Sequence, residues 1–178
     1  VLTPREVGQV GMKSTTEKWP ISTLQAKKLQ FSVWVTVIHI QRIMQMAHNP
    51  DSFKNILKPI NQQFKGIITL FGCGGDRDKE KRPLMLKTAL KYSETVIFTS
   101  DNNRSECFES IVDDAMDGNS SGSIKIIKDR KKAIIEGCKL LTKDKCLLIL
   151  GKGHEEIQEE NGESLHFSDE EVVSEIYN

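Results

Sequence analysis

The chain has 178 residues, 38% hydrophobic and 28% charged, with Lys plus Arg equal to Asp plus Glu at 25 each. That length holds one domain with a sizeable core plus an extension, and the zero net charge argues against nucleic acid as a partner, which needs a basic excess. Cys73, Cys107, Cys138 and Cys146 are scattered without a CxxC pair, excluding a disulfide scaffold and a zinc spacing; with no signal-peptide pattern and no apolar run of about 18 residues to enter a membrane, the expected setting is cytoplasmic.

Residues 1–46 read as an N-terminal extension of unclear structure. The stretch from Gly8 to Thr16, with Gly11-Met12-Lys13-Ser14, invites comparison with a phosphate loop. Met12 stands where that loop needs glycine before lysine, and no apolar strand precedes it, so a working loop is not expected. Residues 31–40 are β-branched and aromatic with partial alternation, which predicts one strand, with His39 a packing residue. Residues 41–46 carry it toward Ala47-His48-Asn49-Pro50.

From Pro50 the pattern is regular. Asp51 or Ser52 is placed to cap a helix to about Phe64, with Phe53, Ile56, Leu57 and Ile60 on one face and Pro59 forcing a kink or early stop. Residues 67–71 predict a buried strand, 83–92 a helix opening on Pro83, 95–99 a strand and 106–116 a helix. A flexible turn at 118–123 precedes a short strand at 124–127, and the helix 129–141 should bury Ala133, Ile134, Cys138 and Leu141. Residues 145–150 form another strand, 156–167 a hairpin turning at Asn161-Gly162, and Ser168 caps a last helix whose first turn carries Asp169, Glu170 and Glu171. Strands alternating with helices predict an α/β, Rossmann-like fold: a mainly parallel sheet flanked by helices, joined by right-handed crossovers.

Three of the strands run into polar loops: Gly72-Cys73-Gly74-Gly75-Asp76-Arg77-Asp78, Asp101-Asn102-Asn103-Arg104, and Gly151-Lys152-Gly153-His154-Glu155. If the strands are parallel, all three loops meet at the carboxyl edge, where ligands of open α/β sheets bind. The first loop is not a dinucleotide fingerprint, because Arg77 occupies the position of the third glycine. A guanidinium grips a carboxylate with two parallel hydrogen bonds, and a neighbouring Asp, Asn or Glu holds an ammonium; that pairing suits a zwitterionic amino acid. The bland alternatives are an Asx-type turn with an exposed Arg104, a hydrogen-bonded structural His154, and a Cys73 that packs without acting as a nucleophile.

These loops, with Ala47-His48-Asn49-Pro50-Asp51-Ser52 before them and His166-Phe167-Ser168-Asp169 after them, resemble the carboxyl-terminal domain of the Mur ligase family, most closely the branch that adds a diamino acid as third residue of the peptidoglycan stem peptide. The resemblance covers residues 47–178. It implies that Arg77, Asp101, Asn102, Asn103, Arg104, Gly151 and Glu155 meet the diamino acid, with Arg104 on the distal carboxylate of meso-diaminopimelate. It places His48 and Asp76 near the nucleotide. Asn103 stands where the family carries proline, and Gln45 and Met46 where it carries Asp-Tyr.

The resemblance further implies ATP and Mg2+ as requirements of the full-length family, with neither bound by this chain alone, since the family's phosphate loop and metal ligands belong to a central domain. The expected substrates are the diamino acid, UDP-MurNAc-dipeptide and ATP, and the expected partners the remaining Mur domains in the same or another chain. The chain then looks like the amino-acid-binding third of a ligase, without turnover on its own. Three other readings stand beside it: a folylpolyglutamate synthase, disfavoured by the intact loop motifs; a non-catalytic Mur-like scaffold or interaction module; and an unrelated nucleotide-binding α/β protein.

Overall fold

The computed structural model describes residues 32–36, 40–45, 49–119 and 123–177, the first two segments by backbone alone. The Gly8–Thr16 stretch, His39, and the Ala47-His48 pair lie outside the described residues, as do residues 120–122 of the expected turn. In chain order the elements are β1 (Ser32–Thr36), β2 (Ile40–Gln45), α1 (Pro50–Asn61), β3 (Gly66–Phe71), α2 (Lys81–Tyr92), β4 (Thr95–Phe98), α3 (Phe108–Met116), β5 (Ile124–Ile126), α4 (Arg130–Lys139), β6 (Lys145–Leu150), β7 (Ile157–Glu160), β8 (Glu163–His166) and α5 (Asp169–Tyr177).

Six strands form one sheet in the order β1-β2-β6-β3-β4-β5, while β7 and β8 form a separate hairpin. Neighbours from β2 to β5 pair in parallel, and only β1 runs antiparallel, on β2. This is the expected mainly parallel α/β sheet. The expected single strand over 31–40 is instead two arms, with Thr36 opposite Ile40. A straight strand from 31 to 46 would extend about 50 Å, whereas the six-residue β6 beside it offers only about 20 Å of pairing edge. Folding back lets both arms join the sheet.

The central strands are apolar on both sides because helices cover both sides. In β3, Ile67 and Phe71 face one core with Cys146, Leu148 and Leu150 of β6, while Ile68 and Leu70 face the other with Leu147 and Ile149. The first core takes Phe53, Ile56, Leu57 and Ile60 of α1, Met85, Leu86 and Ala89 of α2, and Phe108 and Ile111 of α3. Phe53, Phe71, Phe98 and Phe108 form a continuous aromatic row across it, with ring centroids 4.8, 5.1 and 6.2 Å apart. The second core takes Ala133 and Ile134 of α4 and Val172 and Val173 of α5.

Helix boundaries follow local chemistry. The cap of α1 is Asn49, not Asp51 or Ser52: its Oδ1 accepts from Ser52 N at 2.8 Å, which lets Pro50 take the first turn where no N–H is needed. Pro59 stops that helix early, at Asn61. Helix α3 starts at Phe108, two residues later than the periodicity suggests, since Glu106 is drawn into a side-chain network described below. Helix α4 spans Arg130–Lys139, capped by the Asp129 carboxylate on Lys132 N at 3.0 Å, and ends before Leu141. It presses closest to the sheet at Gly137, where a Cβ would stand 3.0 Å from Leu147 Cδ1; Cys138 and Leu141 are only half-buried. The β7–β8 turn is at Asn161 and Gly162, both with positive φ, as the sequence predicts.

Candidate amino-acid-binding cleft

The chain runs from β3 to β4 and β5 in one direction across the sheet, then returns to place β6 on the other side of β3. The carboxyl ends of β6, β3 and β4 therefore flank a topological switch point, the place where an open sheet leaves a crevice. Here the crevice is a cleft of about 570 Å³ lined by Gly72, Cys73, Gly74 and Arg77 after β3, Arg82 and Met85 of α2, Asp101 and Arg104 after β4, and Glu155 after β6. The three loops meet because their backbones approach closely. A Cβ on Gly75 would sit 1.8 Å from the Asn103 carbonyl oxygen, and one on Gly151, already at φ +107°, 2.5 Å from Asp101 Oδ2.

The glycine loop is held from below by Arg82, which is buried in α2. Its Nη2 donates to Gly74 O at 3.1 Å and to Glu106 Oε1 at 2.7 Å; its Nη1 donates to Glu106 Oε2 at 2.9 Å and Asp114 Oδ2 at 2.6 Å. Glu106 also accepts from Asp76 N at 2.6 Å and pairs with Lys79. The hydrogen bonds from Arg82 above all hold the Glu106 carboxyl down at about 2, against opposing desolvation. A carboxyl depressed in this way contributes stability that is complete above its ordinary value near 4.5 and is lost as pH falls through about 2. Glu106→Gln should therefore be less stable than the parent at pH 7, and the gap should close between pH 4.5 and 2 in urea titrations. A gap independent of pH would overturn this account.

The β4 loop has divided roles. Asp101 lines the cleft and accepts from Asn102 N at 2.7 Å through Oδ1. Asn102 is a buried junction: its Nδ2 donates to Glu155 Oε2 at 3.0 Å, and its Oδ1 accepts from Lys152 Nζ at 3.1 Å and Glu159 N at 3.0 Å. Asn103 is buried beneath the glycine loop. Its carbonyl accepts from Glu106 N at 3.0 Å and its Nδ2 reaches Ser100 Oγ at 3.4 Å, so neighbours, rather than a proline ring, hold the turn. Arg104 has φ +52°, lines the cleft, and donates from Nη1 to Gly75 O at 2.8 Å.

After β6, Lys152 is buried, with Nζ donating to Asn102 Oδ1 and Ile157 O and lying 3.9 Å from Glu155 Oε2. Burial pushes its ammonium down from the usual lysine range, and the charge of Asp101 resists. Beneath these loops Arg130 and Asp169 form a solvent-excluded two-point ion pair at 2.7 and 2.8 Å. The same guanidinium donates to Ser100 O and Leu150 O, both at 3.2 Å, the last carbonyls before the second and third loops. One cation thus sets the spacing of two strand ends.

Of the residues singled out by sequence, Arg77, Asp101, Arg104 and Glu155 meet in the cleft. Asn102, Asn103 and Gly151 sit behind it as buried supports. Asp76 is on the exposed rim, where its carboxylate accepts from Ser105 N at 3.2 Å and Ser105 Oγ at 2.6 Å; that hydroxyl holds its pKa below the usual range. His48 lies outside the described residues. His154 is exposed and has no hydrogen bond among the described residues, so the alternative of a bonded structural histidine does not hold there. Cys73 is buried in the wall, its thiol pushed up to about 12 by burial, which fits packing. The sequence reading passed over the structural roles of Arg82 and Arg130 and read Asp169 only as a helix-end charge; Lys152, expected to face the cleft with the other loop residues, is instead buried behind it. The signal it could have used is weak: a charge at an inward helical or loop position, with an opposite charge far along the chain.

The family model described as "Mur ligase, glutamate ligase domain" matches residues 34–153. The UDP-N-acetylmuramoyl-L-alanyl-D-glutamate--2,6-diaminopimelate ligase of Leptospira interrogans serogroup Icterohaemorrhagiae serovar copenhageni is 48% identical over 138 residues, 76% of this chain and 27% of that protein. The protein of the same name from Bacteroides thetaiotaomicron is 39% identical over 175 residues, 95% of this chain and 36% of that protein. A solved structure of a ligase of that name superposes with a TM-score of 0.77 at 36% identity, over 82% of this chain and 30% of that one. The chain thus spans between 27% and 36% of the length of these relatives. The family match begins within β1 and ends within the third cleft loop, taking in every strand of the main sheet. On this ground the chain belongs to the Mur ligase family, and residues 34–153 are its glutamate ligase domain.

Proposed function

We propose that the cleft binds the incoming amino acid of an ATP-dependent ligase that joins a diamino acid, meso-diaminopimelate foremost, to UDP-MurNAc-L-Ala-D-Glu. One observation carries the reading: Arg77, Arg104, Asp101 and Glu155 converge from three loops on one cleft, whose wall also carries Arg82, Lys81 and Asp78, so cationic and carboxylate groups are interleaved there. A diamino dicarboxylate, with ammonium and carboxylate groups at both ends, matches such a mixed lining. Arg77 has no ion pair among the described residues, so its fork is open to a carboxylate. Glu155, fixed by Asn102, is placed for an ammonium. The names of the relatives support a ligase over a scaffold module.

In the reaction implied, ATP phosphorylates the carboxylate of the UDP-linked dipeptide. The free amine of the diamino acid then attacks the acyl phosphate, an amide C–N bond forms, and phosphate leaves with the acyl C–O bond. What this chain contributes is alignment of the amine and selection of the second carboxylate. Among the described residues no three His, Cys, Asp or Glu side chains cluster to hold a metal ion. In this proposal ATP and Mg2+ are held mainly by the remaining Mur domains, with His48 and the rim carboxylate Asp76 facing the nucleotide from this side. The division into 1–46 and 47–178 belongs to the same proposal as a division of sequence character, since β1 and β2 precede residue 47 yet join the main sheet and the family match. No helix among the described residues is long and apolar enough to cross a membrane; the cytoplasmic setting belongs to the same proposal.

The test is an NMR titration of the 15N-labelled chain with meso-diaminopimelate. The expected shifts fall on the Arg77 and Arg104 side chains and the Gly151–Glu155 segment. Saturable shifts confined to another surface, or none at millimolar ligand, would overturn the reading.

A further inference from the structure

The β7–β8 hairpin is outside the main sheet, yet it docks on the one loop that carries Arg104. Arg104 N donates to Glu159 O at 3.1 Å and Asn161 N donates to Arg104 O at 2.8 Å. Glu159 N donates to Asn102 Oδ1 at 3.0 Å. These backbone contacts flank Arg104 while it holds a left-handed conformation, φ +52°, that costs a non-glycine residue free energy and needs surrounding structure to impose it. They also fix where the Glu159 side chain starts. Its Oε2 lies 3.2 Å from Arg104 Nε, while the Nη1 on the far side of the same guanidinium donates to Gly75 O at 2.8 Å.

The hydrogen bond at Nη1 and the carboxylate beside Nε restrain the guanidinium from two sides, in orientation as well as position. The third nitrogen, Nη2, has no partner among the described residues, and Arg104 lines the cleft. Half-exposed ion pairs contribute little to stability. The Glu159–Arg104 pair is of that kind, with the side chains 43% and 27% exposed. Its effect therefore falls on orientation: without the carboxylate beside Nε, a long side chain regains rotamers that a ligand must then freeze out.

We propose that Glu159 is a positioning residue for Arg104, and that the hairpin thereby takes part in selecting a diamino acid with a second carboxylate. The proposal rests on the amino-acid-site reading above. It differs from a competitor role, in which Glu159 would occupy Arg104 until a ligand carboxylate displaced it, and the two roles predict opposite signs.

The experiment measures dissociation constants of the full chain for meso-diaminopimelate and for lysine by NMR titration, in the parent, Glu159→Ala, Glu159→Gln and Arg104→Ala. Glu159→Ala should lower the preference for meso-diaminopimelate about two- to fivefold, the scale of one half-exposed charge contact, with the lysine constant unchanged. Glu159→Gln, which keeps the side-chain length but not the charge, should lose about as much of the preference as Glu159→Ala. The Arg104 Nε–H resonance should exchange with water faster in Glu159→Ala than in the parent, and the thermal midpoint should stay the same. A preference that is unchanged or sharpened in Glu159→Ala overturns the positioning role. A parent that prefers neither amino acid, or whose preference survives Arg104→Ala, instead overturns the amino-acid-site reading and takes this proposal with it.

Discussion

Asp169→Ala should lower the unfolding free energy by about 3–5 kcal/mol, the range found when one partner of a buried ion pair is removed. Both side chains of the Arg130–Asp169 pair are solvent-excluded, so the substitution leaves a guanidinium in a low-dielectric interior with its two closest acceptors gone. Burial acts to lower the Arg130 pKa, and the charge and hydrogen bonds of Asp169, with the charges of Asp101 and Glu155, outweigh it; without Asp169 the largest compensation is gone. Asp169→Asn keeps one oxygen acceptor and should cost less. The double variant Arg130→Met with Asp169→Leu removes the stranded charge, yet should recover only part of the loss, because Ser100 O and Leu150 O then lose their donor. Urea unfolding at pH 7 reads the magnitudes. Hydrogen exchange should show the loosening first in the 100–104 and 150–155 loops. A cost below about 1 kcal/mol for Asp169→Ala would mean that water reaches the pair.

That pair also marks where sequence reading stopped. Apolar periodicity located β3, β4 and β6 because each is buried on both sides and therefore uniformly hydrophobic, and Asn161-Gly162 announced its turn through backbone chemistry alone. The cleft residues Arg77, Asp101, Arg104 and Glu155 were legible for a different reason: they follow strands whose parallel order dictates one common edge. Asp169 was read only as a favourable charge in the first turn of a helix, which it is; nothing local says that Arg130, 39 residues earlier, lies against it. Arg82 was hidden the same way, as one charge in a run of charges, and Lys152 was read as a cleft-facing cation because its burial depends on tertiary neighbours. Asn102 looked like a ligand contact because Asn beside Asp and Arg suits an ammonium. In the fold its oxygen and nitrogen are already committed to Lys152, Glu159 and Glu155. The β1–β2 fold-back was missed because β-branched runs reveal extension, not where a chain reverses.

Arg104→Ala should abolish discrimination between meso-diaminopimelate and lysine. A charge-assisted two-point contact contributes roughly 1.5–3 kcal/mol, so the parent should prefer the dicarboxylate about ten- to a hundredfold. The structure supplies the reason that lysine is the right control. Arg104 also donates to Gly75 O, so its loss loosens the glycine loop for every ligand. That general cost appears in the lysine constant, and the excess loss with meso-diaminopimelate isolates the second carboxylate. Arg104→Lys should recover only part of the preference, since an ammonium cannot form a planar fork and cannot hold the Gly75 carbonyl and Glu159 from two nitrogens at once. Asn103→Pro should leave the preference intact: it removes a buried Oδ1 that has no hydrogen-bond partner and stiffens the turn before Arg104. Calorimetric or NMR competition between the two amino acids gives the ratios. Equal binding of both by the parent would mean that Arg104 does not reach a ligand carboxylate, and would move the substrate assignment to ornithine or lysine.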